Sequence, residues 1–182
     1  MRIIGNRGNT ARKVQAVASG ALASGDAVVV NTDGTVSVIS GGRGDQEAGS
    51  VTLIESATTS HFSATYDVNA QKVVIVYQEG VGTAIVGTVS GTSISFGSPV
   101  SIASDNSAFL SVAYDVSNQK VVVAYRDNSN AGKGTAAVGT VSGTNISFGT
   151  PVVFESASTN DISIAYDASA QKVVIAYRDS GN

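Results

Sequence analysis

Three acid–base pairs are the first candidates for chemistry in this chain. Asp67, Asp115 and Asp167 each stand five residues ahead of a lysine, at Lys72, Lys120 and Lys172. A carboxylate held beside an ammonium could serve as a tuned acid and base, but a reaction needs such a pair once, and here it comes three times in one sequence context. The pairs are therefore read as structural: each aspartate caps a hairpin turn and faces its lysine across the strands, in an exposed pair worth about 0–1 kcal/mol. The remaining reactive inventory is short. One histidine, His61, and no cysteine leave no thiolate metal site, no Cys-His nucleophile and no disulfide. The string DNSNAGKG has the outline of a calcium loop with Gly132 in sixth place, yet Ala131 in fifth and Val138 in twelfth break the ligand set. No glycine-rich phosphate cradle joins a strand to a helix. Nothing marks a pair of carboxylates at the separation of about 5–9.5 Å that glycoside hydrolysis requires. The chain also lacks Trp, a common sugar-stacking platform. No cofactor is expected, and the chain reads as non-enzymatic.

The elements that carry these pairs repeat. YDVNAQKVVIVY (66–77) returns as YDVSNQKVVVAY (114–125) and as YDASAQKVVIAY (166–177), spaced 48 and then 52 residues apart. The four-residue difference falls in one loop, QEGVG (78–82) against RDNSNAGKG (126–134). Repeats of this length are one supersecondary unit each. Val, Thr, Ser and Gly dominate, and only five Lys and four Glu are present to build helix surfaces, so the class is all-β.

Each full repeat holds four segments of strand character, here A to D: HFSATYD (61–67), KVVIVYQE (72–79), TAIVGTVS (83–90) and SISFGSPVSI (93–102) in the first copy. A alternates, with Phe62, Ala64 and Tyr66 on one face, as a half-buried strand does. B is apolar at every position from Val73 to Tyr77, as a strand covered on both faces must be. Tyr66, Tyr77 and their repeats are read as core. Pro99 and Pro151 fit D as an edge strand, and Gly87 and Gly139 in C mark close approach or a bulge. Sheets stacked on both faces of B point to a β-propeller-like array of four-stranded antiparallel repeats, with a β-solenoid or stacked sandwich as the alternative. VTLIES (51–56) aligns with the D segments, giving eleven strands in all. That is short of the roughly four blades that close a propeller, so self-association is expected.

Ahead of the repeats, residues 1–13 form a basic arm with Arg2, Arg7, Arg12 and Lys13, suited to docking on an acidic partner surface. Residues 14–40 hold three short apolar runs punctuated by turn signals, among them Asp33-Gly34, and read as a small β module. Residues 41–50 are a Gly-rich linker. The Arg43-Gly44-Asp45 tripeptide within it carries no weight without structural context. The repeats then run as a partial unit, 51–102, 103–154 and 155–182. A net charge of −3 with 14% charged residues gives no ground for nucleic acid as partner. No apolar run reaches membrane-spanning length, so no membrane insertion is expected, and the N-terminus lacks a secretory signal.

Within one chain, positions that stay constant across copies report structural demand. The A-to-B and C-to-D turns are nearly constant, while the B-to-C and D-to-A loops vary. In an up-and-down sheet these sets lie at opposite ends. The variable rim carries His61, Asp105, Asn106, Arg126, Asp127, Asn128, Asn130, Lys133, Asn160, Asp161, Arg178 and Asp179. Loops on a rigid scaffold are where binding specificity is commonly placed.

The unit YDxxxQKVVIAYRD…GTAxVGTVSGTxISFGTPVVFES, covering residues 51–182, resembles a repeat family in tail-fibre-like virion proteins of marine bacteriophages. The leader ASGALASGDAVVVNTDGTVSVIS is similar to short anchoring modules at the start of such proteins. The resemblance implies a virion component, a tail or head fibre protein. Its first forty residues would hold tail or capsid proteins, and its repeats would be displayed toward a host-surface glycan or protein. It also implies a homo-oligomer, with a trimer the favoured form, and brings no catalytic residue. A cellular surface adhesin or lectin-like binding module is the competing class, and a glycan hydrolase the third.

Overall fold

The computed structural model describes residues 17–18, 28–30, 32, 35–38, 49, 51–102 and 106–180. The chain divides into two compact units, Met1–Glu47 and Ala48–Asn182. In the first, β1 (Val17–Ala18), β2 (Val28–Val30) and β3 (Thr35–Val38) form a sheet in the order β1-β3-β2. β2 and β3 are an antiparallel hairpin pairing Val28 with Val38 and Val30 with Val36, and β1 runs parallel to β3. The arm residues Arg2, Arg7, Arg12 and Lys13 and the Arg43-Gly44-Asp45 tripeptide lie outside the described residues.

The second unit is all-β, built of antiparallel meanders that do not close into a barrel. The first repeat supplies β4 (Ser60–Asp67), β5 (Lys72–Glu79), β6 (Val81–Ser90), β7 (Ser93–Phe96) and β8 (Val100–Ser101). They are ordered β4-β5-β6-β7, with β8 also on β6. The second supplies β9 (Ser107–Asp115), β10 (Lys120–Asp127), the short 3₁₀ helix η1 (Asn128–Asn130), β11 (Lys133–Ser142) and β12 (Asn145–Phe148). β13 (Val152–Asp167) then serves two repeats: its first half pairs with β11, and its second half pairs with β14 (Lys172–Asp179). Segments A to D of the sequence thus follow one another across each sheet.

The turns follow from their residues. At each A-to-B turn the aspartate Oδ1 accepts backbone N–H groups: from Asn69 and Ala70 at Asp67, from Asn118 at Asp115, and from Ser169 and Ala170 at Asp167. Each pairs in register with its lysine. The last turn residue, Gln71, Gln119 or Gln171, sits at φ +54 to +55°, a left-handed conformation costly for a side chain that has a Cβ. The C-to-D turns, Gly91-Thr92 and Gly143-Thr144, carry positive φ at the glycine alone, the pattern of a type II′ hairpin.

Three expectations are corrected. Residues 51–56 form no strand, because no C-type strand precedes them among the described residues to supply ladder bonds; Val51 is 99% exposed. Segment D is not one strand: Gly97-Ser98-Pro99 and Gly149-Thr150-Pro151 break it, since proline donates no ladder bond. Gly97 N and Gly149 N pin the breaks to Val86 O and Val138 O at 2.9 Å. B is not covered alike in every copy: in the second repeat Val121 and Val123 on one face and Ala124 on the other are fully buried, in the first Val74 and Val76 are fully buried while Val73 and Ile75 on the other face are half-buried beside a buried Tyr77, and in the third no B position is buried.

The core sits between successive sheets. Val74, Val76 and Val86 of the first repeat pack with Leu110, Val112, Tyr114, Val121 and Val123 of the second. Each fully buried aliphatic side chain contributes about 1.5–3 kcal/mol relative to exposure. Gly87 and Gly139 keep C flat beneath Ile94 and Phe96, and beneath Ile146 and Phe148, whose side chains would lie 2.8–3.0 Å from an added Cβ.

Candidate binding rim and repeat interfaces

The variable rim is a hydrogen-bonded belt that ties repeats together. Asn106 Oδ1 accepts from Gln78 Nε2 at 3.1 Å and from Asn128 Nδ2 at 3.2 Å, joining the first repeat to the second. Arg126 Nη1 donates to Asn160 Oδ1 at 2.6 Å, joining the second to the third, and Asn160 Nδ2 in turn donates to Ser180 Oγ. Arg178 Nε pairs with Asp161 Oδ2 at 2.7 Å, both side chains well exposed. Asp127, 9% exposed, accepts from Ser129 N and Asn130 N and so caps η1, which leaves the calcium-like string as an ordinary capped turn. Lys133 starts β11 opposite Asp127. Asp179 pairs with Thr159 in the strand register, and Asp105 lies outside the described residues.

His61 occupies a second repeated device. His61, Phe109 and Asp161 have φ of 50–52°, and each opens a bulge at which two residues of the inner strand face one tyrosine: Tyr77, Tyr125 or Tyr177. The His61 ring lies 5.2 Å from that of Phe109, so equivalent bulges of adjacent repeats touch. Phe62 stacks on Tyr77 at 5.9 Å.

The sequence missed the contacts that join the inner strands. Ser63 Oγ accepts the backbone N–H of Val112, and Ser111 Oγ accepts that of Ile164, both at 3.2 Å. Val112 lies on the edge strand β9 and Ile164 on the half of β13 that pairs with β14 alone, so each has a side with no ladder partner. The tyrosines follow the same rule. Tyr166 Oη lies 2.6 Å from Ser117 Oγ on the preceding repeat's turn. Buried Tyr114 sets its hydroxyl beside the Asp67 carboxylate of the preceding turn without closing a full hydrogen bond; burial first, then Asp67, raises its pKa above the ordinary 10.0. Tyr66 and Tyr177, read as core from the sequence, are 51% and 38% exposed; no sheet covers Tyr66 among the described residues, while Tyr177 packs on Phe154 and donates to Glu155 Oε2 at 2.8 Å. The signal was present: Ser63, Ser111 and Ser163 are constant, while the next position on the same face varies between Thr65, Ala113 and Ala165.

Electrostatics adds one acidic contact. Glu79 is pushed above its ordinary 4.5, chiefly by burial and then by the charge of neighbouring Glu55. Glu55 is held below 4.5 by the backbone N–H groups of Ser56 and Ala57. Among the described residues no group of three or more His, Asp or Glu could hold a metal ion, and no helix is long and apolar enough to cross a membrane.

Comparison with protein-family models, with curated proteins and with solved structures gave no match.

Proposed function

We propose that this chain is a non-enzymatic structural component of a bacteriophage virion, a tail or head fibre protein. Its N-terminal part holds tail or capsid proteins, and its repeats are displayed for attachment to a host-surface glycan or protein. The observation that supports this best is the division of the sheet ends: constant turns at one, and at the other a variable but internally braced rim. Bracing matters because a preorganised rim binds without the cost of ordering its loops. In the same reading, the meanders are successive blades of an open propeller, with inner strands β4, β9 and β13 neighbouring one another around the axis.

Among the described residues the side chains of Asn130 and Lys133 make no hydrogen bond or ion pair on the rim, and they are the residues to test. The purified chain is applied to immobilised bacterial surface polysaccharides and outer-surface proteins. Retention is expected to fall at least about tenfold in Asn130→Ala/Lys133→Ala, while Thr92→Ala, on the constant rim, leaves it unchanged. Retention unaltered by the rim changes, or turnover of the polysaccharide, would overturn the attachment role. Immunogold labelling of particles from the source phage tests the virion assignment, which fails if purified particles carry no label.

A further inference from the structure

The interface between the first and second repeats and that between the second and third are the same interface made twice. On the leading side stand Ser63 and Ser111, whose Oγ atoms accept from the next inner strand. The B-strand faces Val74/Val76 and Val122/Ala124 lie on that side too, with Val74, Val76 and Ala124 at 0% exposure. On the trailing side stand the next repeat's tyrosine, Tyr114 or Tyr166, reaching back to the preceding turn, and its B residues, Val121/Val123 or Val173/Ile175. A third contact recurs beside these: an added Cβ on Gly49 would collide with the carbonyl of Thr92, and one on Gly97 with that of Thr144.

Among the described residues both sides of this interface are also present unpaired. The third repeat offers a leading face, Ser163, Ala165, Val174 and Ala176, all exposed, with Val174 at 55%. Its turn presents Asp167 and Ser169, the equivalents of Asp115 and Ser117. The first repeat offers a trailing face: Phe62 is 57% and Tyr66 51% exposed, beside a groove of about 340 Å³ lined by Tyr66, Gln71, Lys72, Val73, Thr88 and Val89. Charge matches as well, since Lys172 of the third repeat acts on Asp115 of the second, and Lys72 and Asp167 are their unpaired counterparts.

We propose that a second copy of this chain docks head to tail, its first repeat's trailing face on the third repeat's leading face, by the contacts the repeats already use within the chain. Tyr66 Oη then meets Ser169 of the neighbouring copy, Ser163 Oγ accepts from Ala64 N, and Val174 and Ala176 cover Val73 and Ile75. The contact is heterologous, so copies form a ring if the rotation closes and a filament if it does not. The inference rests on the repeat-array reading and is independent of the attachment and virion roles, which the polysaccharide binding test and immunogold labelling address separately.

The test uses the full 182-residue chain and two charge substitutions at exposed positions, Val174→Arg on the leading face and Tyr66→Arg on the trailing face. Sedimentation velocity over a concentration series is expected to show association of the parent chain, and a loss of at least about tenfold in apparent affinity for each variant alone. Each variant retains one intact face, so mixing them is expected to restore a 1:1 dimer and nothing larger. The restored dimer also shows that both variants are folded. A parent chain that stays monomeric at all concentrations, a Tyr66→Arg chain that still self-associates, or a mixture that stays monomeric with both variants folded by circular dichroism would each overturn the proposal. Association of the parent only when a separate polypeptide carrying further repeats is added would assign the face to that polypeptide and overturn it equally.

Discussion

One substitution, made at three equivalent positions, tests the bond that links the inner strands. Ser63→Ala, Ser111→Ala and Ser163→Ala remove the same hydroxyl from the same strand position, but the group each leaves behind differs. Val112 is 6% exposed, and its N–H has Ser63 Oγ as acceptor at 3.2 Å. Stranding a buried N–H costs about 1–3 kcal/mol, and part of that is returned because Ala has no hydroxyl to desolvate, so Ser63→Ala is expected to cost about 1–2 kcal/mol. Ile164 is only half-buried, so water replaces much of the lost bond, and Ser111→Ala is expected to cost about 0.5–1 kcal/mol. Ser163 is exposed, its hydroxyl accepts no bond among the described residues, and its replacement is expected to cost about zero. Urea unfolding followed by circular dichroism, on protein dilute enough to be monomeric, reads these directly. With a denaturant slope of about 1–3 kcal/mol per molar, the Ser63→Ala midpoint falls by roughly 1 M and the Ser163→Ala midpoint does not move. Equal losses at all three positions would show that the serine acts within its own strand, and the cross-repeat bond would carry no energy.

Other substitutions probe the backbone and the titrating groups. Gly97→Ala forces a Cβ against the backbone carbonyl of Thr144 in the next repeat and is expected to lower stability by about 1–3 kcal/mol, measured by urea unfolding. Gln171→Gly relieves a residue held at φ +55° on an exposed turn and is expected to raise stability by about 0.5–1 kcal/mol, visible as a higher thermal midpoint. On the alkaline side, burial raises Tyr77 and Tyr114 above 10.0, so the neutral phenol is favoured in the fold. That stability is complete below pH 10.0 and is lost as pH rises through the folded-state values. Tyr114→Phe is expected to flatten the loss in a pH series of urea midpoints. Asp115 has the opposite sign: the Asn118 side chain, then the Asn118 backbone, hold its carboxyl below 3.8, so its contribution is present above that pH and lost as pH falls. Asp115→Asn is expected to flatten the acid limb of the same series.

The repeat, its strand order and the aspartate-capped turns were legible because one sequence answers the same structural demand three times. Constancy marks a position as required without saying what it touches. Ser63 and Ser111 were therefore visible as constant yet silent as acceptors for a strand some fifty residues later. The bulge at His61, Phe109 and Asp161 left no mark at all: three unrelated side chains adopt one left-handed backbone, and none is the glycine that would have advertised it. Residues 51–56 misled for the converse reason, since a D-like sequence becomes a strand only beside a partner with free ladder groups. The rim residues were read as loop positions, yet His61, Arg126, Asp127, Lys133, Asn160, Asp161, Arg178 and Asp179 lie within strands, and sequence separation hid that Asn106 faces Gln78 and that Arg126 faces Asn160, so groups read as available for a ligand are partly engaged with one another.

A scaffold whose junctions are all alike has length as a free variable. When a unit of this kind is duplicated in a gene, both of its faces already fit their new neighbours, and no compensating substitutions are needed before the longer chain folds. The B-to-C segments diverge all the same, as the four-residue difference between QEGVG and RDNSNAGKG records, even though Gln78 and Arg126 within them bond across the junction to Asn106 and Asn160. Growth in reach is thus open to selection at once, while change in surface must keep those few bracing contacts or replace them.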